Sequence, residues 1–367
     1  MRPTSSCLSR RTFLQLAAAG AAAAVLPGRL AAADAPGAVP AVARRGIKLG
    51  FDNFAVRACA WKAPQLIDYA ASLKLDSLFI TDLDAFENFD DAYLKGLRAK
   101  ATDLGLQIHL GTWSICPTST VFKKTWGTAE EHGALAIRVA QALGSPVARV
   151  VLGTGEDRKT PGGIEARIAD MIATCQALKT RCVDANLKIA IENHAGDMQA
   201  RELAGLIEAG GKDFLGVCLD SGNAVWTMED PFSNLEILAP YVITTSLRDS
   251  MIWESPAGAT VQWVAMGDGV VDFKAYFDYF AARCPGIPVH IETIGGFNRE
   301  LPYLDPTYMK LWPKHASWEL ARFIALAKKG HPLAAGRGAF ATDQDFQKDQ
   351  VERSMTYCKN VLGLGLR

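Results

Sequence analysis

Apolar and polar positions along this chain fall into blocks with two different periods. Short apolar runs recur: "IKLGFD" from residue 47, "SLFITD" from 77, "LQIHLG" from 106 and "ARVVLG" from 148. Four more follow, "KIAIEN" from 188, "FLGVCLD" from 214, "VITTSLRD" from 242 and "PVHIET" from 288. Between them the apolar spacing lengthens to three and four, as in Ile164, Ile168, Met171, Ile172, Cys175, Leu178 and Cys182, which predicts a one-sided helix. Leu94, Leu97, Ala101 and Leu104 repeat the pattern, with Gly105 placed to stop the helix. Strands apolar on both faces, each followed by a helix, belong to a parallel sheet covered on both sides. The run of such units predicts an α/β fold, a (β/α)8 TIM barrel over residues 46–330 rather than an open doubly wound sheet. No GxGxxG follows the first strand, which argues against a dinucleotide site. Residues 331–367 are read as a C-terminal helical extension, a Gly/Ala/Pro-containing loop and then the helix "TDQDFQKDQVERSMTYCKNVLG". This tail packs on the barrel or on a second copy of the chain, so a homo-oligomer stays open.

The first 33 residues break the pattern. "SRRTFLQLAAAGAAAAVLPG" joins the pair Arg10-Arg11 to Phe13-Leu14 and an alanine-rich apolar run, and "LAAADAPG" offers small residues for cleavage after Ala33. The order of these residues resembles a twin-arginine export signal. That resemblance implies the twin-arginine translocation machinery as a partner, a periplasmic or otherwise exported location, and cargo that crosses the membrane already folded. Residues 34–45 read as a linker. No other run is long and apolar enough to span a bilayer, so no permanent membrane anchor is expected. The full chain balances Lys+Arg 39 against Asp+Glu 39; the signal holds four of the arginines and no acid, leaving the mature chain 35 against 39, a net charge of −4. There is no basic stripe, and nucleic acid is not expected as a partner. Of 8 cysteines, Cys7 lies in the signal, and the rest are scattered without a CxxC pair. Neither a disulfide framework nor a cysteine-bound zinc is expected.

In a barrel of this kind the C-terminal ends of the strands open on one shared mouth, so the last residues of each run are a census of candidate chemistry. The fifth run ends Glu192-Asn193-His194, and the sixth gives Asp220 and Asn223. The seventh gives Ser246, Arg248 and Asp249, and the eighth His290 and Glu292. Glu192, Asp220 and Glu292 cannot all stay ionised in one small space, because like charges raise one another's pKa. One divalent cation removes the conflict. Hard oxygen donors suit Mg or Mn, with Zn open if an imidazole joins. The structural alternatives are helix capping, which suits Asp220 before Ser221-Gly222-Asn223, and ion pairing with Arg248. Arg248 could equally pair with Asp249 or Asp268.

"IENHAGD", "CLDSGNA" and "HIET", in that order on the fifth, sixth and eighth strands, resemble the xylose-isomerase-like sugar isomerase/epimerase superfamily over residues 46–330. The resemblance implies a divalent metal on Glu, Asp, His and Glu from strands five to eight, with Glu192 and Glu292 doubling as an acid/base pair. One ligand departs from the family: in "TTSLRDS", Ser246 stands where a histidine usually opens an HLKD-like run. Gln262, a water, or a recruited His194 or His290 is the expected replacement. Expected substrate contacts are His194, Asn223, Arg248, His109 and Trp113, with Phe51, Phe54, Trp226 and Trp253 as further aromatic candidates for a sugar face. The implied function is an exported, metal-dependent sugar isomerase or epimerase that removes a proton beside a carbonyl and passes through an enediolate. Two alternatives stand beside it: β-elimination from a keto-glycoside at the same site, and a carbohydrate-binding barrel that has lost catalysis.

Overall fold

The computed structural model describes residues 42–367; Arg10, Arg11, the cleavage site and most of the linker lie outside the described residues. Eight parallel strands form one sheet: β1 (Leu49–Asp52), β2 (Ser77–Ile80), β3 (Gln107–Ser114), β4 (Val147–Val151), β5 (Lys188–Glu192), β6 (Leu215–Leu219), β7 (Val242–Thr245) and β10 (Val289–Ile291). β1 pairs with both β2 and β10. A parallel bridge between Leu247 and Ile291 joins the two ends of the sheet and closes the barrel. These are the eight runs read from the sequence.

Side chains along each strand alternate between the helix layer and the lumen. Leu49, Leu78, Ile108, Ile189 and Val217 join the main core under the helices, while Phe79, Ala190 and Cys218 fill the lumen. Sequence signals mark some of the helix ends. Thr128 and Glu131 form a capping box ahead of Ala129–Leu143. Gly105, with φ of 70°, turns the chain out of helix Asp91–Asp103 into β3. Ile164, Met171, Cys175, Leu178 and Cys182 form the buried stripe of helix Gly163–Asp184.

One subdomain was not anticipated. After β7 the chain forms β8 (Asp249–Ser255) and β9 (Gly258–Val264), and after β10 it adds β11 (Asn298–Leu301), giving an antiparallel sheet in the order β11-β9-β8. Ile252, Ala259, Val261 and Trp263 of this sheet pack with Phe323 and Leu326 of helix Ser317–Ala327 in a second core. Helix Asp343–Asn360 instead lies on the barrel: Val351, Met355 and Cys358, with Leu362 and Leu364 beyond it, belong to the main core. Its Gln347 accepts a bond from the backbone N–H of Ala58, in the segment that follows β1, at 2.8 Å.

Candidate active site

Charged residues at the ends of apolar strands meet because the lumen period is two. Asp52, Arg149, Glu192, Ser246 and Glu292 share one layer at the barrel mouth, and His109, His290 and Phe79 form the layer beneath, with the two histidine rings 4.9 Å apart. His109 therefore does not reach the mouth. Its Nδ1 pairs with Thr244 Oγ1 at 2.9 Å, and burial together with the neighbouring His290 keeps its pKa well below that of a free imidazole. Burial likewise lowers His290 to about 3, so both rings are neutral.

Glu192, Asp220 and Glu292 each offer an oxygen within 4.8 Å of the others, and all three are buried. That spacing could hold a metal ion. The remaining neighbours do not fit one. Arg248 places its Nη2 against both Asp220 Oδ2 and Glu292 Oε2, and it pairs with neither Asp249 nor Asp268. Asp268 pairs instead with Arg353, and Asp249 accepts from the N–H groups of Gly267 and Gly269. Arg149 donates its Nε to Glu192 Oε2 at 2.6 Å. Asn223 Nδ2 reaches Asp220 Oδ2 at 2.6 Å and Glu192 Oε1 at 3.2 Å. Asp220 Oδ1 caps helix Ser221–Trp226 by accepting from Gly222 and Asn223, so the capping role and the site role coexist in one carboxylate.

Ser246, in the position of the family's histidine, turns its hydroxyl to Asp52 Oδ2 at 2.8 Å, with Glu292 Oε2 at 3.2 Å. Gln262, the expected replacement ligand, is elsewhere. It lies on β9 and donates to Asn298 Oδ1 and Ala334 O, in a depression beside the C-terminal loop. The cause is the antiparallel insert, which carries residue 262 out of the mouth. Asn193 clamps the Asp220 peptide with its amide, at 2.7 and 2.9 Å.

The electrostatics follow from this pairing. Burial is the strongest single influence on Glu192 and raises it, but Arg149, by charge and by hydrogen bond, acts together with the other positive neighbours to hold the carboxyl below its ordinary value. Burial dominates at Asp220, which Arg248 only partly offsets, leaving it at about 7. Glu292 is pushed well up by the same desolvation, with Arg248 opposing it and the neighbouring acids adding to it. Asp52 is raised by burial too.

A cavity of about 500 Å³ opens above this layer. Glu292, Arg248, Arg149, Asn223 and His194 form its polar floor and wall, with Thr112 and His132 nearby. Phe54, Trp113, Trp126, Trp226, Trp263 and Phe297 supply aromatic faces. Glu192 and Asp220 lie behind this wall. Phe51 and Trp253 are buried in core clusters away from it. His194 Nδ1 lies 2.6 Å from Gly153 O. A carbonyl can only accept, so Nδ1 carries the proton and Nε2 keeps its lone pair when the ring is neutral. Burial lowers this histidine to about 4. Arg248 is held from the side by Trp263, whose ring centroid lies 4.2 Å from the guanidinium carbon. Trp226 stacks on Trp263 at 4.1 Å and 10°, and Arg299 covers the far face of Trp226 at 4.0 Å.

Arg149, Asp52 and Trp263 were missed from the sequence, although an arginine in the middle of "ARVVLG" is a signal. A buried strand carries a charge only where something pairs with it.

The chain has recognisable relatives. Residues 7–27 match the twin-arginine translocation signal sequence, which marks the chain for export. No helix among the described residues is long and apolar enough to cross a membrane. The 3-oxo-isoapionate decarboxylase of Pectobacterium atrosepticum is 25% identical over 198 residues, 53% of this chain and 64% of that protein, so the match spans just under two thirds of the relative's length. Among solved structures, D-psicose 3-epimerase from Clostridium cellulolyticum H10, with D-tagatose, shares 12% identity at a TM-score of 0.55, covering 86% of this chain and 99% of that one. A xylose isomerase-like barrel protein from Mycobacterium smegmatis, in complex with magnesium, shares 14% identity at a TM-score of 0.51, covering 78% and 99%. These two likenesses concern the fold. Residues 67–306 match the family described as the xylose isomerase-like TIM barrel, and this chain belongs to that family.

Proposed function

We propose that the mature chain is an exported carbohydrate enzyme, acting in the periplasm or beyond it, that removes a proton from the carbon beside a carbonyl. Its class on this reading is sugar isomerase or epimerase. The observation that carries the reading is a cavity whose floor brings a carboxyl, Glu292, and a neutral imidazole, His194, to the same space as two guanidinium groups. An acid/base group moves the proton while fixed positive charge receives the electron pair on oxygen. Glu292 and His194 are the acid/base candidates on this geometry. Glu192 is less suited, because Arg149 and Asn223 already engage both its oxygens and it lies behind the cavity wall. The aromatic walls suit the C–H faces of a sugar ring.

A second reading uses the same intermediate. The curated relative is named as a decarboxylase of a 3-oxo acid, and loss of CO2 beside a carbonyl also leaves an enolate. Departure of a β-substituent from a keto-glycoside would do so as well, and the exchange of histidine for Ser246 favours a reaction other than the family's usual one.

The test is to incubate the mature protein in D2O with aldoses, ketoses, keto-glycosides and 3-oxo sugar acids, and to follow deuterium at the carbon beside the carbonyl by NMR. Exchange without net cleavage is the isomerase or epimerase result; a released aglycone or CO2 is the second reading. Glu292→Gln should lower exchange by about 10²–10⁴-fold. A protein that binds these sugars yet exchanges and cleaves none of them is a binding barrel, and the enzyme reading is then wrong.

A further inference from the structure

We propose that Arg248 is the cation of this site: its guanidinium takes the place among Glu192, Asp220 and Glu292 that a divalent ion takes in the family's ligand set, and it receives the negative oxygen during reaction. The catalytic half of this proposal rests on the reaction proposed above, while the statement that the cluster works without a metal does not.

The first support is the lone-pair inventory of the acids. Glu192 Oε2 accepts from Arg149 and Oε1 from Asn223. Asp220 Oδ1 accepts from two backbone N–H groups, and Oδ2 from Asn223 and Arg248. Glu292 Oε2 accepts from Arg248, with the Ser246 oxygen, whose proton goes to Asp52, 3.2 Å away. An ion entering the cluster would have to displace these donors and lie directly against a guanidinium of its own sign. The second support is the fourth ligand. Histidine is replaced by Ser246, and its hydroxyl is committed to Asp52 at 2.8 Å. A serine hydroxyl is a poor neutral donor to a metal.

The third support is that Arg248 is built in. Trp263 lies across its guanidinium, and the absence of a side chain at Gly222 leaves room for Arg248 Cγ and Cδ. The side chain also faces the substrate space: Nη2 serves the two carboxylates, and Arg248 lines the cavity above them. Arginine suits such a role because its charge is permanent and its donors are fixed in a plane.

The step balances without a co-reactant. The C–H bond beside the carbonyl breaks and its proton passes to Glu292 in its ionised form, the form that pairs with Arg248. The electron pair forms the C=C bond while the carbonyl π pair moves onto oxygen beside Arg248. Reprotonation of the same carbon restores the carbonyl compound or its epimer; protonation of the former carbonyl carbon, with the neighbouring hydroxyl proton passing to the first oxygen, gives the isomer, and either route returns the carboxylate.

The experiment measures metal content of the purified mature protein by elemental analysis, together with its melting temperature with and without MnCl2, ZnCl2 or MgCl2. Fewer than about 0.1 ion per chain, no shift in melting temperature, and deuterium exchange that survives dialysis against EDTA are expected. One tightly held ion per chain, or exchange lost to EDTA and restored by a divalent salt, would overturn the proposal. Arg248→Ala vacates the cluster, so it should lose exchange by about 10²–10³-fold and acquire an Mn2+-dependent rise in melting temperature that the parent lacks. An Arg248→Ala protein indifferent to Mn2+ counts against alternative occupancy. If that variant does not fold, Ser246→His with Arg248→Lys rebuilds the family's HLKD run and should bind one ion per chain. Metal content and melting are read without substrate, so a chain that acts on no sugar would sink the reaction and leave the metal-free cluster standing.

Discussion

Gly222 lacks a side chain at a point where Arg248 crosses close to the backbone. A Cβ there would overlap Arg248 Cγ and Cδ. Elsewhere on a helix alanine is the better former, so any loss on substitution is specific to this contact. Gly222→Ala is expected to push the guanidinium off Asp220 and Glu292, destabilise the fold by about 1–3 kcal/mol and cut turnover by about 10²-fold or more. Paired melting and kinetic measurements check this, and unchanged turnover would mean that the position of Arg248 is irrelevant to the reaction. Glu229 makes a pH prediction away from the cavity. It is buried at the start of helix Ala200–Gly210, with Ala200 N–H donating to it and Thr227 and Asn234 beside it. Burial raises it to about 8 in spite of those bonds. The folded state thus holds a proton that the unfolded chain gives up near its ordinary pKa of 4.5. Stability from this group is complete below that value and is lost as pH rises towards 8; Asp249, raised by burial to about 7, acts in the same direction. The melting temperature should therefore fall between pH 5 and about pH 8.5. Glu229→Gln should flatten part of that slope, and an unaltered slope would show that Glu229 is ionised in the fold.

At the scale of elements, the antiparallel sheet does more than cover the barrel. β9 delivers Trp263, whose indole N–H bonds Gly222 O at 2.8 Å while its face supports Arg248. Trp263→Ala should destabilise by about 3–5 kcal/mol. Trp263→Phe should keep the fold but lower kcat by about tenfold with little change in KM, since the ring remains while the N–H bond is lost and the cation–π contact weakens. Equal losses in kcat from both variants with no change in melting would contradict a supporting role. This sheet was illegible in the sequence for a physical reason. "ATVQWV" alternates apolar and polar positions, as a strand with one covered face does, and it follows the charged "LRD" that reads as the end of a barrel strand. The eight barrel strands were legible because each is apolar on both faces. Glu192, Asp220 and Glu292 were legible because acids at the ends of such runs need partners. Which partners they take was not. Arg149 was absorbed into the apolar tally of its own strand, and the pairing of Arg248 with Asp220 and Glu292 depends on β6, β7 and β10 lying side by side at the barrel's seam.

On the scale of the whole molecule, the signal and the cysteines have to be read together. Seven cysteines lie among the described residues, none is in a disulfide, and all but Cys59 are buried. Burial raises the thiol pKa of Cys175, Cys182 and Cys284 above its ordinary value, which keeps them unreactive once the fold is formed. An unfolded chain with the same thiols in an oxidising compartment would cross-link before it could close a barrel whose first and last strands are joined only when the chain is nearly complete. A route that carries folded cargo avoids this, because the thiols are already inside when the chain leaves the cytoplasm. Replacing Arg10 and Arg11 by Lys should therefore leave the uncleaved protein in the cytoplasm, folded and with the parent's melting temperature. Replacing residues 1–33 with a signal for the route that threads unfolded chains should instead give an exported protein with mixed disulfides on non-reducing gels and little folded yield. Thiol titration after denaturation separates the cases: seven free thiols are expected from the native route and fewer from the threaded one. Folded protein with seven free thiols from the threaded route would show that barrel closure outruns oxidation and that the choice of signal has another cause.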